Sequence, residues 1–239
     1  MSTQHEKEMD DLNKVVDDYT KAIKSNPDNA DAYFYRGSAY SELGILQTPV
    51  SGSFARKAID DFTKVIELGL QYAEVYCFRG FNYTKLGQFQ KAIDDFNRAL
   101  ELNPKDAKAY SERGDNYAEL GEYQKAIDDY TKAIEKSGND IDYKLRGIAY
   151  IKLGKYKKAI DDFTKAIKKS GGLDNLQLRG IAYTRLGQNQ KACDDFYKAA
   201  LQYIIYGNRD KASKCVDLMK EADPISPLFK KFMKNYGEK

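Results

Sequence analysis

A chain of 239 residues with a net charge of only +3 lacks the strong basic excess that marks a nucleic-acid-binding surface. Hydrophobic residues make up 42% and no run of about 18 apolar residues occurs, so the sequence offers no membrane span. Cys77, Cys193 and Cys215 stand far apart with no Cys-x-x-Cys, which argues against a disulfide framework or zinc site and fits a reducing, cytoplasmic compartment.

The opening MSTQHEKEMDDLNK is polar and has no apolar signal core. From Val15, VVDDYTKAIKSNP carries a pattern that recurs later as the second helix of a pair. Its first-helix partner is missing unless residues 3–12 form part of one. Residues 1–30 therefore read as a half-repeat that caps an array.

Five copies follow, aligned on Arg-Gly at Arg36-Gly37, Arg79-Gly80, Arg113-Gly114, Arg146-Gly147 and Arg179-Gly180, with spacings of 43, 34, 33 and 33. A Tyr stands three residues after each Gly. A second Gly closes the segment at Gly44, Gly87, Gly121, Gly154 and Gly187. Next comes Ala-(Ile/Cys)-Asp-Asp-aromatic, as in Ala126 to Tyr130. Apolar and small residues at helical spacing predict a helix, a break at the closing Gly, and a second helix. One such pair cannot bury its apolar face alone, whereas stacked pairs can. The copies span 31–72, 73–106, 107–139, 140–172 and 173–206. The first carries nine extra residues, and its Pro, Gly and Ser content predicts a surface loop over 45–56.

After the fifth copy the chain departs from the pattern. Its second helix runs on through Tyr206, and Gly207 to Ala212 repeats the interval from Gly187 to Ala192. Residues 207–239 read as a degenerate copy followed by a capping helix. Phe229, Phe232, Met233 and Tyr236 share one face of that helix, with Lys230, Lys231 and Lys234 elsewhere.

The small residue, aromatic, turn glycine, Ala and aromatic in fixed order resemble the tetratricopeptide repeat (TPR) family. The resemblance covers roughly residues 10–201. It implies an all-α fold, a right-handed α-solenoid of antiparallel helix pairs. It also implies a groove, lined by the first helices, that holds a peptide or helix of a partner protein.

Each Arg of the Arg-Gly pairs falls inside the apolar stripe of its helix, and a buried guanidinium must be paired. The second Asp of each Asp-Asp flanks the apolar face, which predicts Arg–Asp contacts between helices through Asp61, Asp95, Asp129, Asp162 and Asp195. Adjacent aspartates on a helix point about 100° apart, so they form no chelating site. The sole histidine, His5, lies in the N-terminal tail, and no nucleophile–base set or phosphate loop is present. The sequence thus predicts no catalytic residue, metal or cofactor.

The groove candidates are the first-helix positions that vary between copies: Phe34 and Ser38, Cys77 and Phe81, Ser111 and Asp115, Lys144, Ile148 and Ile151, then Gln177 and Ile181. Phe34, Phe81, Ile148, Ile151 and Ile181 would form an apolar strip, which points to a protein partner. One TPR class clamps acidic chaperone tails with Lys and Asn on the first helices. Phe34 and Ser38 stand where that class needs them, so the clamp fails in the first copy. The expectation is a scaffold or adaptor that binds a partner peptide or helix. The alternative is self-association through the C-terminal helices into a homo-oligomer.

Overall fold

The computed structural model describes residues 3–46 and 52–236. Its helices fall into two compact units, residues 1–122 and 123–239. The first unit contains α1 (Thr3–Ser25), α2 (Ala30–Leu46), α3 (Gly52–Glu67), α4 (Ala73–Lys85), α5 (Phe89–Leu102) and α6 (Ala107–Glu119). The second contains α7 (Tyr123–Ser137), α8 (Asp140–Lys152), α9 (Tyr156–Ser170), α10 (Leu173–Arg185), α11 (Asn189–Ile205), α12 (Arg209–Ala222) and α13 (Pro227–Tyr236).

Within each unit the helices pack in chain order. α2 pairs with α3, α4 with α5, α8 with α9 and α10 with α11, and each second helix also packs on the next first helix. The second helices are strongly one-sided. Phe62, Phe96, Phe163 and Phe196 are at most 1% exposed, and the alanines four residues before them are fully buried. Opposite each ring lies the Gly of an Arg-Gly pair. A Cβ added at Gly147 would come within 2.7 Å of the Phe163 ring, and one at Gly180 within 2.5 Å of Phe196. Glycine is therefore required there for close packing rather than for flexibility.

The closing glycines do adopt left-handed backbone where the turn is tight, with φ of 70° at Gly87 and 69° at Gly154 and Gly187. Gly44 does not. α2 runs through it to Leu46, so the expected break is absent in the first copy. The insertion removes the need for a tight turn, and the chain keeps its helical hydrogen bonds instead. Helix likewise covers Ile45, Leu46 and Gly52 to Arg56, which the sequence assigned to a loop. Residues 47–51 of that loop lie outside the described residues. At the N-terminus, α1 is one continuous helix from Thr3, and the His5 ring nitrogen lies 3.1 Å from the Leu46 carbonyl oxygen.

The C-terminal turn repeats the geometry of the earlier ones. Asn208 N–H donates to the Tyr203 carbonyl at 2.8 Å, as Gln188 does to Tyr183 at 3.0 Å. The Lys211 ammonium lies 5.4 Å from the Tyr203 ring, and Lys191 lies 5.6 Å from Tyr183. α11 therefore serves twice, as second helix to α10 and as first helix to α12.

Arg36, Arg79, Arg146 and Arg179 each form a fork. Arg79 donates from Nε and Nη2 to both oxygens of Asp95 at 2.8 and 2.7 Å, and from Nη1 to Thr63 Oγ1 at 3.1 Å. Arg36 grips Asp61 and reaches Thr20; Arg146 grips Asp162 and reaches Thr131; Arg179 grips Asp195 and reaches Thr164. Arg113 reaches Asn97 at 2.6 Å, and Asp129 is buried in the second unit. Each fork thus holds its own copy closed with two bonds and ties it to the preceding copy with a third. The neighbouring Asp60, Asp94, Asp128 and Asp161 are exposed. Tyr rings three residues before and four after the Arg flank the guanidinium, at 5.8 Å for Tyr76 and 5.9 Å for Tyr83 around Arg79.

Burial holds the Asp61 and Asp95 carboxyls above the usual carboxylate range, with the arginines opposing it. The pair therefore fixes geometry more than it adds net stability, but removing one partner strands the other charge. Asp95→Asn should lower stability by roughly 3 kcal/mol, and Thr63→Val by about 1 kcal/mol, in chemical denaturation. Equal stability of Asp95→Asn and the parent chain would remove the fork from the account. Gly180→Ala should cost about 1–3 kcal/mol, because the added methyl would press into the buried Phe196 ring and force it to shift.

Candidate functional site

A face open to a partner must come from residues that the scaffold does not consume. The second helices spend their apolar face on the core, and the forks spend the Arg and Asp. What remains are first-helix positions three residues before and one residue after the Gly of each Arg-Gly pair.

In the first unit these positions lie on α2, α4 and α6, which are successive neighbours. Phe34, Ser38, Cys77, Phe81, Ser111 and Asp115 are all half-buried. The Phe34 ring meets Phe62 at 5.9 Å and Phe78 at 5.8 Å edge-on, and Phe78 stacks on Phe62 at 5.6 Å. Tyr35 stacks on Tyr19 at 5.3 Å. Tyr35 and Phe78 were not singled out from the sequence, yet they keep 50% and 38% of their surface exposed. The signal was available: both stand two residues before the Gly of an Arg-Gly pair. The Ser38 hydroxyl donates to the Phe34 carbonyl one turn back at 2.9 Å.

The Lys85 ammonium lies 4.8 Å from the Phe81 ring centroid. Glu112 is half-buried, and its carboxyl is held above the usual range by burial and then by Asp115, with Lys108 and Lys85 opposing. Cys77 Sγ lies 3.8 Å from Asp106 Oδ2, and burial pushes the thiol up to about 12, with Asp106 adding to it.

In the second unit, Lys144, Ile148 and Ile151 lie on α8, and Gln177 and Ile181 on the adjacent α10. All five are half-buried. Ile148 and Ile151 pack against the core around Phe163 and Ala182, and Ile181 packs against the cluster around Phe196. Asp174 at the head of α10 accepts from the Tyr203 hydroxyl at 2.5 Å and from Lys211 at 3.2 Å. The Tyr203 bond and then Lys211 hold that carboxyl below its usual range.

The position four residues after the Gly serves a different purpose. Ser41 is buried and its Oγ accepts from Asn82 Nδ2 at 2.7 Å, while Thr84 Oγ1 donates to Asn116 Oδ1 at 2.9 Å. Ile151 is its equivalent on α8 and meets the Ala182 cluster. These are junction contacts between successive first helices. Asn82 and Asn116 are consumed there and present no amide to a ligand.

Among the described residues no group of three or more His, Cys, Asp or Glu gathers as a metal site, and no helix is long and apolar enough to cross a membrane. The Cys77 environment makes a testable statement. A thiol held at about 12 is almost wholly protonated at pH 8, so its alkylation, followed by peptide mapping, should be at least roughly a hundredfold slower than that of a free cysteine.

Models of the tetratricopeptide repeat match residues 18–48, 73–106, 107–140 and 142–170, and between them they cover more than half of the chain. No curated protein matches by sequence. Among solved structures, MamA is similar at 29% identity and a TM-score of 0.63, over 72% of this chain and 96% of that one. The C-terminal part of a TPR-containing protein from Cytophaga hutchinsonii matches at 17% identity and a TM-score of 0.66, over 95% of this chain and 97% of that one. YrrB, described as a TPR protein with an unusual peptide-binding site, matches at 19% identity and 0.59, over 90% and 97%. The repeat matches, the helix pairs and these likenesses agree: the chain belongs to the tetratricopeptide repeat family and has its α-solenoid fold.

Proposed function

We propose that the chain is a non-catalytic cytoplasmic scaffold whose first-helix face holds an extended peptide or helix of a partner protein. One observation carries this reading. The aromatics of the Asp-Asp-aromatic motif, Phe62, Phe96, Tyr130, Phe163 and Phe196, are at most 1% exposed, whereas the first-helix aromatics Tyr35 and Phe78 keep ring surface exposed next to the half-buried Phe34 and Phe81. Contiguous exposed aromatic surface is what a recognition patch provides, because aromatic anchors supply much of the energy at protein interfaces. Recognition runs through Phe34, Phe81, Ile148 and Ile181, with polar selection by Ser38, Cys77, Ser111, Asp115, Lys144 and Gln177; Ile151 is left to the junction. The peptide-binding site in the description of YrrB belongs to that protein. At its identity the likeness carries the fold alone.

A second reading has its own observation. Ile205, Tyr206 and Ile225 are 71–73% exposed, and Met233 and Tyr236 line an open cleft of about 600 Å³ with Ile204, Val216 and Phe232. Such a surface at the C-terminal end supports self-association through α12 and α13.

Phe81→Glu and Ile148→Glu should each lose partners that the parent chain captures from lysate, while Asp94→Lys on the outer face of α5 keeps them. Retention of every partner by both variants, with unchanged circular dichroism, contradicts the groove. Tyr206→Asn with Ile225→Asn leaves the groove intact. If the parent chain forms oligomers in light scattering and this double variant does not, the second reading stands; a monomeric parent chain ends it.

A further inference from the structure

The net charge of +3 conceals a division between the two units. Residues 1–122 carry 15 Lys and Arg against 21 Asp and Glu, whereas residues 123–239 carry 24 against 15. The first unit is therefore net −6 and the second net +9. A field of one sign over a face steers partners of the other sign.

The aromatic face lies in the acidic unit. Two residues before the Gly of its Arg-Gly pair, α2 carries Tyr35 and α4 carries Phe78; α6 carries Glu112 at that place. Glu112 acts electrostatically on Cys77 of α4 and is itself influenced by Lys85 of α4. One turn along α6 stands Asp115. The same face thus offers aromatic rings on two helices and carboxylates on the third. The fold already shows what such rings attract, since the Lys85 ammonium rests 4.8 Å from the Phe81 centroid.

We infer that the first-helix face of residues 1–122 takes a cationic segment of a partner protein, with Arg or Lys side chains laid on Phe78 and Phe81 and directed to Glu112, and apolar side chains between them. An aromatic face attracts a cation through its quadrupole, more strongly for Arg, and a half-buried carboxylate pairs with it better than an exposed one. Lys85 is the internal occupant that the partner's cation displaces. The inference rests on the groove reading and gives it a partner chemistry. The acidic tail expected by the chaperone-clamp class is repelled by this face.

The test uses the full chain and two fluorescent probes, an alternating Arg-Leu peptide and its Glu-Leu counterpart, followed by anisotropy. The Arg-Leu probe should bind and the Glu-Leu probe should bind at least about tenfold more weakly. Glu112→Gln should weaken the Arg-Leu probe about tenfold, and Lys85→Gln should tighten it. General attraction to the acidic residues 1–122 would also favour the Arg-Leu probe, but it would leave Glu112→Gln nearly without effect, because that change removes one charge from a net −6. Absence of Arg-Leu binding, a preference for Glu-Leu, or indifference to Glu112→Gln overturns the inference. Phe81→Ala, which changes no charge, separates the two levels. Glu-Leu binding that Phe81→Ala abolishes refutes the charge assignment alone, whereas probe binding unchanged by Phe81→Ala refutes the groove as well.

Discussion

Everything in this fold hangs on seating five half-buried guanidinium groups within apolar stripes with partners for their charge. A charged side chain inside an apolar stripe is tolerated only if its hydrogen bonds are met. Four forks answer this with an Asp from the same copy and a Thr from the previous one. The first contact sets the angle within a pair; the second sets one pair against the next. Repeat proteins are stabilised by such nearest-neighbour terms, so the register of each junction is locally fixed.

This arrangement frees the first-helix face. Ring packing between Phe163 and Gly147, or Phe196 and Gly180, leaves no slack for variation. The positions one residue after those glycines are under no such restriction and vary, from Ser38 and Phe81 to Asp115, with Ile at both Ile148 and Ile181. Packing and the proposed recognition thereby fall on different positions of one short helix. The division of charge between the units extends the same logic, because surface charge can be changed without disturbing a junction.

Much of this was legible in the chain. Strict recurrence of Arg-Gly and Asp-Asp-aromatic predicted the helix pairs, the Arg–Asp contacts and the choice of the second Asp, though the arginines stay half-buried. The Thr that completes each fork was legible too, since DDYT, DDFT or DDFN precedes each following Arg-Gly. At Tyr197, where no Arg-Gly follows, the ring instead meets Phe232 at 6.1 Å. Other features were not legible. Gly44 has the sequence of a turn and the backbone of a helix, because the decision lay with the length of the insertion rather than with the glycine. Ser41, Thr84 and Ile151 sit on the wheel beside the recognition face. Only the approach of the next first helix shows that they belong to the junction.

The central claim is that the second helices and forks hold the scaffold while the first-helix face of residues 1–122 does the binding. Hydrogen–deuterium exchange of the full chain, with and without the Arg-Leu peptide, tests it most directly. The account predicts added protection in α2, α4 and α6 and none in α12 and α13. Protection confined to the C-terminal helices, or to the outer faces of α3 and α5, would contradict it.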